Sequence, residues 1–278
     1  MDALQKKISL ADVQIPGLPD TTAQIIAALE DDLCSVTKLE EVILRDPALT
    51  AEVLKIVNAP YYQSGRSGKP VSSVADTIMF IGMGNLVTLV SIASLTHQCA
   101  AGRLDRDIIR HLLAVSSAAA LLAEQTKKLR VRREVAVVAG LLHDIGIMVL
   151  LDRLPGEYQA LRNRVTATGV PLAGAELESL GFTHCSVGAM LAERWHFPPI
   201  YRFVLEHHHD EGIPAEIRES EALCLLVRLA DKLVLDAGIG SEGAPEVDEA
   251  QICTVLGIDG KALEEIKKQV AGMTGIEI

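Results

Sequence analysis

Residues 138–152, VAGLLHDIGIMVLLD, form an apolar run with His143 and Asp144 at its middle. A run of this kind, without two-residue alternation, reads as a buried helix. A carboxylate buried there without a partner costs several kcal/mol, so Asp144 requires a cation, a metal or strong donors beside it. Whatever fold this chain adopts must bring such groups to that point.

The remaining sequence can build the necessary core. With 278 residues, 49% of them hydrophobic and a mean hydropathy of +0.27, the chain is globular rather than disordered. Aromatic residues are only 3%, while Ala, Leu, Val and Ile dominate, a palette that favours aliphatic helix packing. The formal net charge of -11 repels a phosphate backbone, so nucleic acid is not an expected partner. The five cysteines, Cys34, Cys99, Cys185, Cys224 and Cys253, are dispersed and odd in number, which points to a reducing cytoplasm. Met1 precedes the polar DALQKK, unlike a signal peptide. The longest apolar stretches, 86–96 and 135–151, are too short or too interrupted to span a bilayer, so no membrane is expected.

Helix signals recur along the chain. Asp20, Thr21 and Thr22 can cap a helix carrying Ile25, Ile26 and Leu29, and Thr37 with Glu40 fits a capping box before Leu39, Val42 and Ile43. Asp46-Pro47 supplies an N-cap and a first-turn proline, and the helix bearing Leu49, Val53, Leu54 and Val57 should stop near Asn58. After the SGRSGKP loop, residues 71–95 read as helices broken at IGMGN. Neither glycine-bearing segment fits a phosphate-binding loop. The first has Gln63 and Pro70 where a glycine and a hydroxyl are needed, and the second lacks a third glycine and a preceding strand. Beyond CAAGRLDRD the pattern is helical from Ile108 to Asp236, with GIGSEGAPE as the other linker. The expected fold class is all-α, with an N-terminal lobe over 1–104, a second helical lobe over 105–240 and a C-terminal helical extension over 241–278.

The second lobe places its histidines and aspartates in a suggestive order. His111 lies in its first long helix and His143-Asp144 in the next apolar one. His184 opens a helix, His207, His208 and His209 run together, and Asp231 interrupts the apolar LLVRLADKLVL. Any one of these histidines alone reads most simply as a core or surface group. Two aspartates in apolar surroundings are harder to place without a shared counter-charge.

This arrangement resembles the HD superfamily of metal-dependent phosphohydrolases. The segments IPGLP, ILRDPALTAEVLKIVNAPYY, PVSSVADTIMFIG, AGLLHDIG, LGFTHCSVGAMLAERW and HHHD narrow the resemblance to the HDOD family, the HD-related output domains of bacterial signalling, over roughly residues 10–240. The resemblance implies an HD-like bundle behind an N-terminal helical lobe. It also implies two metal positions. One would take His111, His143, Asp144 and Asp231, and the other Asp144, His184, His208 and His209, with Asp144 as the bridge and, in an enzyme, the catalytic residue. A donor set made mainly of imidazoles favours one or two iron or manganese ions over calcium, with nickel, cobalt or zinc also suitable. Tyr61 and Tyr62 match the family's NxxYY region and are expected to close the N-terminal lobe on the second one.

Two departures bear on activity. In the HD-GYP phosphodiesterases, which cleave cyclic dinucleotides, a lysine follows the HD motif where this chain has Ile147, and DEGIPAE replaces the GYP segment. Hydrolysis of cyclic-di-GMP is therefore not expected. The basic cluster of Lys127, Lys128, Arg130, Arg132 and Arg133 reads either as a solvated helix end or as a mouth that attracts anions. Trp195 and HFPP read as a helix end packed on the core. The expected function is regulatory, through signalling-protein contacts or sensing of a metal, nucleotide or phosphate, and a homodimer is compatible with it. The alternatives are a metal-dependent phosphohydrolase acting on a nucleotide and a purely structural scaffold. No receiver, cyclase or kinase segment is recognised, so input is expected in trans or through the chain's own pocket.

Overall fold

The computed structural model describes residues 9–17, 20–29, 34–58, 70–83, 85, 86, 89, 90, 93, 106–129, 131–240 and 247–275. Among them there is no β-strand, as the aliphatic, alanine-rich composition predicts. The N-terminal helices are α1 (Asp20–Leu29), α2 (Val36–Leu44), α3 (Pro47–Asn58) and α4 (Val74–Ile81). The second group runs α5 (Arg106–Gln125), α6 (Arg133–Leu142), α7 (Ile145–Arg153), α8 (Pro155–Thr168), α9 (Leu172–Leu180), α10 (His184–Arg194), α11 (Pro199–His207) and α12 (Glu219–Asp236). Helices α13 (Glu249–Leu256) and α14 (Gly260–Ala271) follow, with α14 packed on α5 and α12.

Local chemistry sets the boundaries. Asp46 Oδ1 accepts from the amides of Ala48 and Leu49 at 3.1 and 3.0 Å, the N-cap expected from Asp-Pro. At the far end of α3, Asn58 exchanges two hydrogen bonds with the backbone of Val71. The start of α2 differs from expectation. Ser35, not Thr37, accepts from Lys38 N at 3.2 Å, and Glu40 reaches instead to Ala75 N at the start of α4. Long-range pairing of the glutamate has won over a local capping box. The break in IGMGN falls at Gly82, whose φ of 79° is a left-handed conformation suited to glycine.

The largest departure is in the apolar run itself. Residues 133–153 are apolar and long enough by composition to cross a membrane, but 94% of the window is buried within the protein. Moreover, the run is not one helix. It turns at His143-Asp144, where Asp144 has φ -105° and ψ 18°, between α6 and α7. Two glycines permit the packing on either side. A Cβ on Gly140 would stand 2.7 Å from Ser116 Cα of α5, and one on Gly146 would stand 2.0 Å from the backbone carbonyl oxygen of His184. Close approach of α6 to α5, and of α7 to the start of α10, brings His111, the His143-Asp144 turn and His184 to one place.

The two lobes share one continuous core, from Ile25, Leu39, Val53 and Ile78 through Leu122, Leu150, Val187 and Leu226. Trp195 is fully buried at the end of α10 against Phe197, and its Nε1 donates to Pro16 O at 3.0 Å. Tyr201 of α11 donates to Asn85 Oδ1, and Arg133 lies over the Phe80 ring. Tyr61 and Tyr62, expected to close the lobes, lie outside the described residues.

Candidate metal centre

Side chains from α5, the α6–α7 turn, α10, the end of α11 and the middle of α12 converge in the second lobe. His111, His143, Asp144, His184, His208 and Asp231 are all buried, each no more than 3% exposed. Their orientation is fixed from behind. The outer ring nitrogen Nδ1 of His111 faces Ile239 O at 3.1 Å, that of His143 faces Gly140 O at 2.8 Å, and that of His208 faces Val204 O at 3.1 Å. The Nδ1 of His184 faces Glu176 Oε2 at 2.7 Å. Carbonyl and carboxylate oxygens only accept, so the proton of each neutral imidazole belongs on Nδ1, and Nε2 presents a lone pair inward.

The inward atoms form two groups around a single carboxylate. Asp144 Oδ2 stands 3.2 Å from His143 Nε2 and 3.5 Å from His111 Nε2. Its other oxygen, Oδ1, stands 3.1 Å from His184 Nε2 and 3.2 Å from His208 Nε2. The two Nε2 atoms are 3.3 Å apart in each pair. Asp231 Oδ1 joins the first group, 3.2 Å from His111 Nε2 and 3.8 Å from His143 Nε2, yet it is buried with no hydrogen bond made to it among the described residues. Donors held about 2.0–2.1 Å from one ion stand about 3.3 Å apart along the edges of a tetrahedron. The observed spacings match such edges, and an orphaned carboxylate oxygen beside facing lone pairs is what a cation would satisfy. The residues therefore fit a divalent ion in each group.

With protons in place of ions among the inward nitrogens, the cluster balances its own charge. Burial alone would raise the Asp144 carboxyl, but attraction to His143 and His184, with hydrogen bonds from His111 and His143, holds it well below the usual carboxylate range, and bound ions would take the place of those protons. Burial would lower His184, and Cys185, Glu176 and Asp144 together raise it well above an ordinary imidazole. His209, partly exposed with its ring centroid 4.2 Å from that of His208, is driven the other way by desolvation and by His208 and His184. His207 turns from the cluster to Asp210, with Nδ1 2.8 Å from Oδ2.

Sequence reasoning missed two residues. Glu176 is fully buried in α9 and accepts from both the backbone N and Nδ1 of His184, while Tyr158 donates to its other oxygen. Its signal was available, because Leu172, Ala175 and Glu176 fall at helical spacing on one buried face. Cys185 was the other, its Sγ 3.5 Å from His184 Nε2. The basic cluster, by contrast, is engaged elsewhere. Lys127 pairs with Asp259, Lys128 donates to Thr254 O, Arg132 pairs with Glu134 and Arg133 with Glu124. These contacts support the solvated helix end over the anion mouth, and Arg130 lies outside the described residues.

Because Glu176 holds the His184 ring and its tautomer, Glu176→Gln is expected to weaken metal binding about 10–100-fold, the usual effect of losing an outer carboxylate partner. Competition against a chromophoric chelator measures it. A change below about twofold would reduce Glu176 to a packing residue.

The described helices thus gather imidazoles and carboxylates in the order H, HD, H, HH, D. The HDOD domain family matches residues 15–211, and the chain belongs to that family. Asp231 lies beyond the matched segment. An HDOD domain protein of unknown function from Geobacter sulfurreducens is 26% identical, with a TM-score of 0.65 and coverage of 95% of this chain and 94% of that one. A Marinobacter aquaeolei VT8 protein, described provisionally as a signal transduction protein, shares the fold at 23% identity and a TM-score of 0.70, over 95% of this chain and 57% of its own. A Treponema pallidum (strain Nichols) protein described as uncharacterized is 23% identical over 205 residues, 73% of this chain. The chain spans 39% of that curated relative's length.

Proposed function

We propose that this chain is a regulatory HDOD protein whose His/Asp centre binds divalent transition ions and whose N-terminal lobe reports the occupancy. One observation carries the reading: the helices that deliver imidazoles to the centre also hold the other lobe. Helix α10 begins with His184, and Trp195 at its end donates to Pro16 O. Helix α11 carries Tyr201, tied to Asn85, and His208 caps its end. A shift of either helix as its histidine engages an ion is transmitted to the lobe contact at the opposite end, which supplies the differential interaction that switching requires.

In this reading His111, His143, Asp144 and Asp231 hold one ion, and Asp144, His184, His208 and His209 the other. Bound divalent ions would supply Lewis acidity and a positive field for an anion such as a phosphate ester. Iron or manganese is favoured among the metals, and signalling proteins or a small nucleotide or phosphate ligand among the partners. The second reading, a nucleotide phosphohydrolase, draws on the bridging carboxylate itself. Against it, Ile147 is buried and apolar and offers no phosphate contact.

The test has two arms. Adding manganese or ferrous iron should increase hydrogen-exchange protection around residues 74–81, and Tyr201→Phe should remove most of that increase while leaving metal binding in place. Cyclic dinucleotides and simple nucleotides should yield no multiple turnover with metal-loaded protein. Turnover that disappears in Asp144→Ala would overturn the regulatory reading.

A further inference from the structure

We infer that Cys185 is a metal ligand, so that the half of the centre holding His184 and His208 offers a thiolate beside its imidazoles and carboxylate. The inference rests on the reading that the cluster binds ions. Cys185 is buried, 7% exposed, and follows His184 in the first turn of α10. Its sulfur meets the imidazole of the preceding residue. It lies 3.5 Å from His184 Nε2, the lone-pair-bearing atom of that ring. The Sγ and one ring nitrogen from each of His184, His208 and His209 all lie within 4.8 Å of one another.

The spacings fit an ion shared by sulfur and nitrogen, as they also fit an S–H···N hydrogen bond in its absence. With metal–sulfur bonds of about 2.3 Å and metal–nitrogen bonds of about 2.0–2.1 Å, a tetrahedral site separates sulfur from nitrogen by about 3.6 Å and nitrogen from nitrogen by about 3.3 Å. The observed values are 3.5 Å for Cys185 Sγ to His184 Nε2 and 3.3 Å for His184 Nε2 to His208 Nε2. On binding, the S–H bond is given up, its proton passes to solvent and the sulfur–metal bond forms, with no change of oxidation state.

The two halves of the centre then differ in softness. His111, His143, Asp144 Oδ2 and Asp231 present nitrogen and oxygen alone, whereas the half with Cys185 adds sulfur. That half should take zinc, cobalt or ferrous iron in preference to manganese, while the first half accepts manganese more readily.

Cobalt(II) added to the full chain tests this, because its visible ligand-field bands report binding and a near-ultraviolet charge-transfer band reports a thiolate ligand. The wild-type protein should show both. Cys185→Ser, with far-ultraviolet circular dichroism like that of the wild type, should keep visible bands and lose the near-ultraviolet band. Its preference for zinc over manganese should fall by at least about tenfold. Cys185→Ala, which adds no polar atom, should behave in the same way. Visible bands without the near-ultraviolet band in the wild type, or a near-ultraviolet band that survives in both variants, would overturn the role of Cys185 and leave the metal centre standing. The absence of visible bands from the wild-type protein would overturn both.

Discussion

Replacing Gly146 by alanine is expected to destabilise the protein by about 3 kcal/mol or more, at or beyond the upper end of typical overpacking costs. The added Cβ would stand 2.0 Å from His184 O, 2.8 Å from His184 C and 3.0 Å from Gly188 N. All three are backbone atoms, so no rotamer change relieves the overlap, and α7 must move away from α10. That movement separates Asp144, which immediately precedes α7, from His184, which opens α10. Metal binding in the His184 half should therefore fall together with the urea midpoint. Gly156→Ala provides the control, since nothing lies within 4 Å of a Cβ there and the site is in α8. It should be neutral or stabilising by up to about 1 kcal/mol. A Gly146→Ala protein as stable as the wild type would show that the approach of α7 to α10 is looser than described.

The second large effect belongs to Asp144. One of its oxygens faces His111 and His143 and the other faces His184 and His208, so each half of the centre draws an anionic ligand from the same carboxylate. Asp231 faces only the first half. Asp144→Ala should accordingly abolish binding in both halves, whereas Asp231→Ala should leave the His184 half able to bind. Taking about two ions per wild-type chain, as a two-metal site implies, elemental analysis should give about one for Asp231→Ala and close to none for Asp144→Ala. His207→Ala should leave the count unchanged, because that ring points to Asp210. Equal losses in the two aspartate variants would remove the bridging role.

The all-α class and the order of the site histidines could be read from the chain because both rest on local pattern. Helical spacing of Leu49, Val53 and Val57 needs no partner to be recognised, and aspartates within apolar runs demand a counter-charge wherever they fold. What escaped depended on contacts distant in sequence. The turn at His143-Asp144 is invisible to hydropathy, since 138–152 is apolar on both sides of it. It became necessary only once Gly146 was seen against His184 O. For Glu176, helical spacing with Leu172 and Ala175 marks a buried face, but its role as the partner of Tyr158 and His184 depends on contacts distant in sequence. Lys127 and Lys128 read as a charged cluster until Asp259 and Thr254, from the C-terminal helices, reach them. Cys185 was masked in a different way, because dispersed cysteines suggest a reducing compartment and draw no attention as ligands.

The central claim is that one carboxylate bridges two ions in the second lobe. Anomalous X-ray scattering from crystals of the full chain grown with manganese, iron or zinc tests it most directly. Two anomalous peaks are expected to flank the Asp144 carboxylate, one against His111, His143 and Asp231 and the other against His184 and His208. Peaks elsewhere, or none at this cluster under any of the three metals, would contradict it.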